Sequence, residues 1–552
     1  MPCPPVLGSV PVTDQGSRND AQPAKDSGRN ALVVAAAIFL SRLAGLVRER
    51  VFAHYFGNSI AADAFKAALR IPNLLQNLFG EGVLSASFIP VYARLRAEGR
   101  DAEARQVAQA VATLLFVVIS LLVGIGVALT PLIIDLVAPG FQGARREGAI
   151  DLVRIFFPAT GLLVASAWCL GVLNSHRRFF LSYAAPVVWN AAQIAALILL
   201  GRSWRGFDLA RFVALGAVAG SLLQLLLQLP AVLRLVGFFR PALHLASGHV
   251  REVLRNFLPV VVGRGVMQLS AYIDSVLASW LPAGAVAAIA YAQILYTLPV
   301  SMFGMSVSAA ELPEMSSLVG CEDRVHAALR ARLSSSLLRI AFFVVPTSVG
   351  FLLLGDVVAA VLFQTGRFGR DDAVWVWTIL GGSTVGLVAA TSGRLYSSAF
   401  YALKDTRTPV RLAILRLLLT AVLGWLCSLH LPAWLGVAPT WGASGLTASA
   451  GLAAWIEYLF LRRALHRRIG PVRGTGGPLA RMWGAALPAG AVGLAIRFGC
   501  DAMHVHQPVL RGIAILVPYG AAYWGAAHVL GVGQARELLA SVLRRSPRLV
   551  RR

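Results

Sequence analysis

The chain has 552 residues, 57% of them hydrophobic and only 14% charged, with a formal net charge of +24 and a mean hydropathy of +0.68. A soluble globular protein is about 25% charged, so this composition excludes an ordinary soluble enzyme. So basic a soluble protein would suggest nucleic acid, but here the Arg and Lys residues crowd short loops between apolar runs, and no nucleic-acid partner is expected.

Residues 1–29 are polar and rich in Pro, Gly, Asp and Ser, and they lack the apolar core of a signal peptide. They read as a disordered cytoplasmic tail. Apolar runs follow near 31–56, 62–90, 106–136, 150–174, 183–201, 208–233, 254–280, 284–312, 335–363, 374–402, 410–430, 441–464, 480–500 and 509–532. Each can cross a bilayer, so the expected fold is an all-α polytopic membrane protein of about fourteen transmembrane helices. Basic residues favour one set of loops, among them Arg94, Arg96, Arg177, Arg178, Arg462 and Arg463. This bias places both termini in the cytoplasm.

Internal similarity suggests duplication. Gly161–Pro186 parallels Gly386–Pro409, Leu132–Phe141 parallels Gly355–Phe368, and Ile71–Pro90 parallels Leu298–Pro313. The order of these matches predicts two pseudo-symmetric lobes of about six helices each, at 30–240 and 241–465. Residues 466–552 then add two helices and a basic cytoplasmic tail. Parallel repeats of this kind are a transporter architecture, with the substrate expected between the halves.

The charges inside the apolar runs are the candidate site. Arg42 lies about eleven residues into the first run, roughly 17 Å deep, beyond easy reach of the headgroups. It reads as lining a wet cavity or as part of a buried ion pair. Arg48, Glu49 and Arg50 follow nearer the external end, where snorkelling is a competing reading. Asp63 and Lys66 are one turn apart and could bridge each other. Arg70 precedes Ile71-Pro72, which breaks the helical ladder, and Glu81 sits between two glycines. Arg264, Asp274, Glu311, Arg394 and Glu457 recur in the second half, with Asp274 a candidate for coupling to Na⁺ or H⁺. Cations outnumber acids around the first two runs, and arginine holds phosphate bidentately while staying ionised, so an anionic substrate is expected.

Enzyme chemistry finds little support. Asp371-Asp372 is an adjacent acidic pair flanked by Arg367 and Arg370, and it reads as a solvated loop. The five cysteines are scattered without metal-ligand spacing, and His504 and His506 form a lone pair. No metal and no cofactor are expected.

Taken together, SRLAGLVRE from Ser41, DAFKAALRIPNLLQNLFGEGVLSASFIPVY from Asp63, APGF at 138–141, APVVWN at 185–190 and Thr408-Pro409 resemble the MurJ/MviN family. These are bacterial lipid II flippases of the multidrug/oligosaccharidyl-lipid/polysaccharide exporter superfamily. The resemblance implies a transporter of the bacterial inner membrane that moves lipid II, the undecaprenyl-pyrophosphate-linked disaccharide-pentapeptide, to the outer leaflet for peptidoglycan synthesis. The alternative is export of another lipid-linked oligosaccharide or a drug within the same superfamily. Membrane lipids and the cell-wall synthesis machinery are the further partners it suggests. It assigns substrate contacts to Arg42, Arg48, Glu49, Asp63, Arg70 and Glu81. Two departures stand out: many relatives carry arginine where this chain has Gln76-Asn77 and Gln293-Ile294. Arg264 is the candidate replacement for one of these cations.

Overall fold

The computed structural model describes residues 21–237 and 247–537, without the side chains of 21–35, 81, 262–264, 266, 267 and 269–271. The described residues form helices and no β-strand. By length and hydropathy eight of these helices can cross a membrane, and a ninth forms if Arg370–Val385 and Leu387–Ala402, bent by 41°, act as one span. That is fewer than the fourteen apolar runs, for identifiable reasons. The helix Ile60–Phe79, for example, carries Asp63, Lys66 and Arg70 within a single span length, and Gly442–Ile469 is diluted by Gly, Ser and Ala.

The chain divides into two compact units, up to Val276 and from Leu277. The first holds α1 (Ala21–Phe56), α2 (Ile60–Phe79), α3 (Glu81–Ser87), α4 (Ile89–Ala97), α5 (Asp101–Ala128), α6 (Thr130–Val137), α7 (Gly143–Ser175), α8 (Phe179–Leu200), α9 (Gly206–Val236) and most of α10 (Gly248–Ser279). Two of the expected continuous helices are broken. The run 62–90 becomes α2, α3 and α4, because Gly80 leaves the helical region (φ −93°, ψ −146°) and a Cβ there would sit 2.2 Å from the Gln76 carbonyl oxygen. The run 106–136 breaks before Thr130-Pro131, where proline cannot continue the ladder.

Lipid offers no hydrophobic drive between helices, so close approach and polar pairs hold this unit together. Gly220 lets α9 meet α8 so closely that a Cβ would stand 3.0 Å from the Trp189 carbonyl oxygen. Across α7 and α9, Ser166 donates to Gln228 at 2.6 Å and accepts from Gln224 at 2.8 Å. Trp168 donates to the Ala108 carbonyl at 3.2 Å, tying α7 to α5.

The second unit holds α11 (Ala285–Pro299), a π-helical segment Val300–Met305, α12 (Ser306–Ser316), α13 (Glu322–Phe363), α14 (Arg370–Val385), α15 (Leu387–Ala402), α16 (Arg407–Trp425), a π-helical segment Leu426–His430, α17 (Leu431–Trp434), α18 (Gly442–Ile469), α19 (Gly476–Ala502) and α20 (Pro508–Val529). A Cβ on Gly386 would lie 2.4 Å from the Gly451 Cα, so α18 meets the α14–α15 bend backbone to backbone. α19 and α20 pack against each other and against α13 around Phe342, Tyr519 and Tyr523. Pro346 has no N–H to offer the carbonyl one turn earlier, that of Phe342. The Tyr523 hydroxyl supplies the missing donor at 2.8 Å. Inside a membrane, where no water can replace such a bond, this substitution of donors is what makes the proline tolerable.

Candidate functional site

The α1–α2 hairpin builds the first part of the site. Gly57 turns the chain in the left-handed region (φ 54°), and Ser59 caps α2 by accepting from the Ala62 N–H at 3.2 Å. Glu49 lies seven residues before the end of α1 and Lys66 six residues after the start of α2. At 1.5 Å per residue both are roughly 10 Å from the turn, at matched depth. They meet there. Lys66 donates to one Glu49 oxygen, and Arg48 donates to the other at 2.6 Å. Glu49 is only 7% exposed and Lys66 8%.

Aromatic rings surround the cluster. The Lys66 ammonium sits 4.4 Å from the Phe52 ring centroid, and the Arg48 guanidinium lies 4.9 Å from that of Trp189 on α8. Phe52 stacks on Phe56 and touches Phe65. One carboxylate therefore faces two basic side chains beside aromatic rings, a formal charge of +1 for the three groups.

Asp63, fully buried, pairs with Arg145 on α7 at 2.7 Å. The Arg145 guanidinium also lies 4.0 Å from the Phe141 ring centroid. The expected bridge between Asp63 and Lys66 is thus replaced by two bridges to different helices, Asp63 toward α7 and Lys66 toward α1. Each buried charge finds a partner on a neighbouring helix, which binds α2 into the unit.

Arg70, two residues before Pro72, lies within electrostatic reach of Asp274 and Tyr272 on α10. Asp274, read from sequence as an ion-coupling acid, is therefore a neighbour of a cation. Arg42 is exposed, two turns from Glu49 on the same face of α1. The Glu81 and Arg264 side chains lie outside the described residues. Of the sequence candidates, Arg48 and Glu49 are brought into direct contact. Arg145 and Trp189 complete the site, although sequence reasoning did not single them out. Arg145 reads as a loop charge ahead of the apolar run 150–174, and nothing in its spacing links it to Asp63.

A family model described as lipid II flippase MurJ matches residues 52–507. The chain belongs to the lipid II flippase MurJ family. It is 31% identical over 520 residues to the lipid II flippase MurJ of Burkholderia cenocepacia, covering 91% of this chain and 97% of that one. It is likewise 31% identical over 441 residues to a probable lipid II flippase MurJ of Rhizobium meliloti, with 78% of each chain covered. Among solved structures, a lipid II flippase MurJ in an inward closed conformation matches with a TM-score of 0.72 at 22% identity, over 92% of this chain and all of that one. An inward-facing multidrug MATE transporter of the MOP superfamily matches with a TM-score of 0.60 at 16% identity, over 80% of this chain and 98% of that one. Both likenesses are likenesses of fold. MurJ membership makes this a multi-pass protein of the bacterial inner membrane and a transporter by family.

Proposed function

We propose that the protein is a lipid II flippase that carries the undecaprenyl-diphosphate-linked precursor from the inner to the outer leaflet by alternating access. The observation that carries this reading is the Arg48–Glu49–Lys66 cluster, in which two basic side chains share one carboxylate. Arg48, with Arg42 and Arg70 on the same two helices, receives the diphosphate, and the prenyl chain stays in lipid. No covalent step is involved. An inside-negative potential favours outward release of an anion by about 2.3 kcal/mol per charge per 100 mV if the charge crosses the full field. The positive cluster disfavours the cationic drugs that a drug exporter would carry.

In the same reading residues 30–240 and 241–465 are repeated lobes, residues 466–552 add two helices and a basic tail, and both termini are cytoplasmic. The internal repeats and the arginine bias of the loops support this arrangement. In this reading Asp274, within electrostatic reach of Arg70, is the acid that couples transport to a proton or Na⁺.

The test is depletion of a native flippase with this gene supplied in trans, followed by a leaflet-resolved lipid II assay. Expected is restored outer-leaflet lipid II with the wild type and loss with Arg42→Ala. Arg264→Ala is expected to impair transport about as much as Arg42→Ala. Failure of the wild type to restore outer-leaflet lipid II while an O-antigen lipid is moved would replace the substrate assignment.

A further inference from the structure

Charge is not confined to the first unit. Four helices of the second unit, α11, α15, α16 and α18, carry Tyr296, Arg394, Arg416 and Glu457. Arg394 lies ten residues before Lys404 in the α15–α16 loop, and Arg416 nine residues after Arg407 at the start of α16. These helices run in opposite directions from the same loop, so both guanidinium groups lie roughly 14–15 Å from it. That is near the middle of a hydrocarbon layer about 30 Å thick. Tyr296 is within electrostatic reach of both arginines.

The two arginines differ in how they are satisfied. Arg416 donates to Glu457 at 3.0 Å, and Glu457 is mostly buried. Among the described residues Arg394 has no carboxylate partner, and it is exposed although Ser392, Gly393, Leu395 and Tyr396 around it are buried. The cluster therefore carries one positive charge more than its single carboxylate neutralises. A guanidinium at this depth is too far from the headgroups to snorkel and is costly to leave in hydrocarbon. Just past Tyr296, α11 passes into the π-helical segment Val300–Met305, a local widening of the helix of the sort found at functional sites.

We propose that Arg394 and Arg416, with the Tyr296 hydroxyl, form an anion-binding site in the second unit that takes the diphosphate of a prenyl-linked lipid. This rests on the flippase reading above and extends it to residues of another unit. Arg394 offers a bidentate donor face with no competing carboxylate, Arg416 is held in place by Glu457, and Tyr296 adds a neutral donor. Phosphate could also come from an ordinary phospholipid headgroup. The depth of the site favours a lipid whose charged head is carried through the membrane.

The experiment uses the full chain in phosphatidylcholine nanodiscs and measures binding of undecaprenyl diphosphate, with phosphatidylglycerol as competitor. The wild type is expected to bind and to resist the competitor. Arg394→Gln is expected to weaken binding at least tenfold, Arg394→Lys to restore part of it, and Tyr296→Phe to weaken it severalfold. Unchanged affinity in a monodisperse Arg394→Gln protein overturns the site while leaving the flippase reading standing. Equal competition by phosphatidylglycerol overturns the prenyl diphosphate as its ligand. A wild type that binds no prenyl diphosphate overturns both the site and the flippase reading.

Discussion

Lys66 on α2 and Arg48 on α1 share the carboxylate of Glu49, each holding one of its two oxygens. Glu49 is thus the counter-charge shared by the two basic side chains, and it offsets part of the cost of placing them away from water. Removing one member of a buried ion pair typically costs about 3–5 kcal/mol, because the other charge is stranded. Glu49→Gln is therefore expected to destabilise the protein by several kcal/mol. Thermal unfolding in detergent, followed by loss of monodispersity, measures this. Combining it with Lys66→Met should recover much of the loss, since one stranded cation disappears with the acid. A double variant no more stable than Glu49→Gln alone would show that the pairing carries little energy.

Asp63 and Arg145 form the second buried pair, and here each charge has the other as its carboxylate or guanidinium partner. Asp63→Asn strands Arg145 against Phe141 and loosens α2 from α7. The expected result is a loss of stability comparable to that of Glu49→Gln. The charge-swapped protein, Asp63→Arg with Arg145→Asp, should recover only part of it, because Phe141 then loses its cation. Transport should fall with stability here; transport lost at full stability would move Asp63 from structural partner to substrate contact.

The membrane class, the helical fold and the importance of the first two helices are legible in the sequence, because uninterrupted apolar runs and misplaced charges are local signals. The partners of those charges are not. Asp63 and Lys66, one turn apart, satisfy the rule for a local bridge, yet each reaches another helix, and nothing in the spacing distinguishes the two outcomes. Arg145 looks like any loop cation until α7 is packed on α2. The break at Gly80 was visible as a weak point, but that it divides a single expected span into three helices depends on the Gln76 carbonyl behind it. Arg416 lies within the apolar run 410–430 and is not singled out by the sequence; its pairing appears only when α18 brings Glu457 alongside.

Outside the membrane, Asp405 joins α15 to α16. It accepts from the Thr408 hydroxyl at 2.7 Å and from the Thr408 and Arg407 N–H groups at 3.0 Å each, and it faces Arg468 at 2.7 Å. The Thr408 hydrogen bonds, ahead of the Arg468 charge, hold its carboxyl below the ordinary value of 3.8. A depressed folded pKa contributes stability that is present above the unfolded value and is lost as pH falls through the folded one. The turn at 404–408 should therefore stay protected at neutral pH and open under acid. Hydrogen exchange of these amides, corrected for the intrinsic rate, should show protection declining below about pH 4 in the wild type. In Asp405→Asn protection should be weaker at neutral pH and nearly flat across that range. Equal pH dependence in both proteins would assign the effect to another group.

The Tyr523–Phe342 bond permits a sharper test, because its cause is a single proline. Pro346 removes the donor that the Phe342 carbonyl would have within α13, and the Tyr523 hydroxyl from α20 takes its place. Leaving a buried carbonyl without a donor costs about 1–3 kcal/mol. Tyr523→Phe is therefore expected to lower the unfolding temperature of an otherwise intact protein. In a Pro346→Ala background α13 regains its own N–H, and the same substitution should cost much less. The coupling between positions 346 and 523, read from the four unfolding curves of the double-mutant cycle, isolates the hydrogen bond from the packing of the ring. If Tyr523→Phe is equally costly in both backgrounds, the tyrosine stabilises α20 through its ring contact with Phe342 and the proline is irrelevant to it.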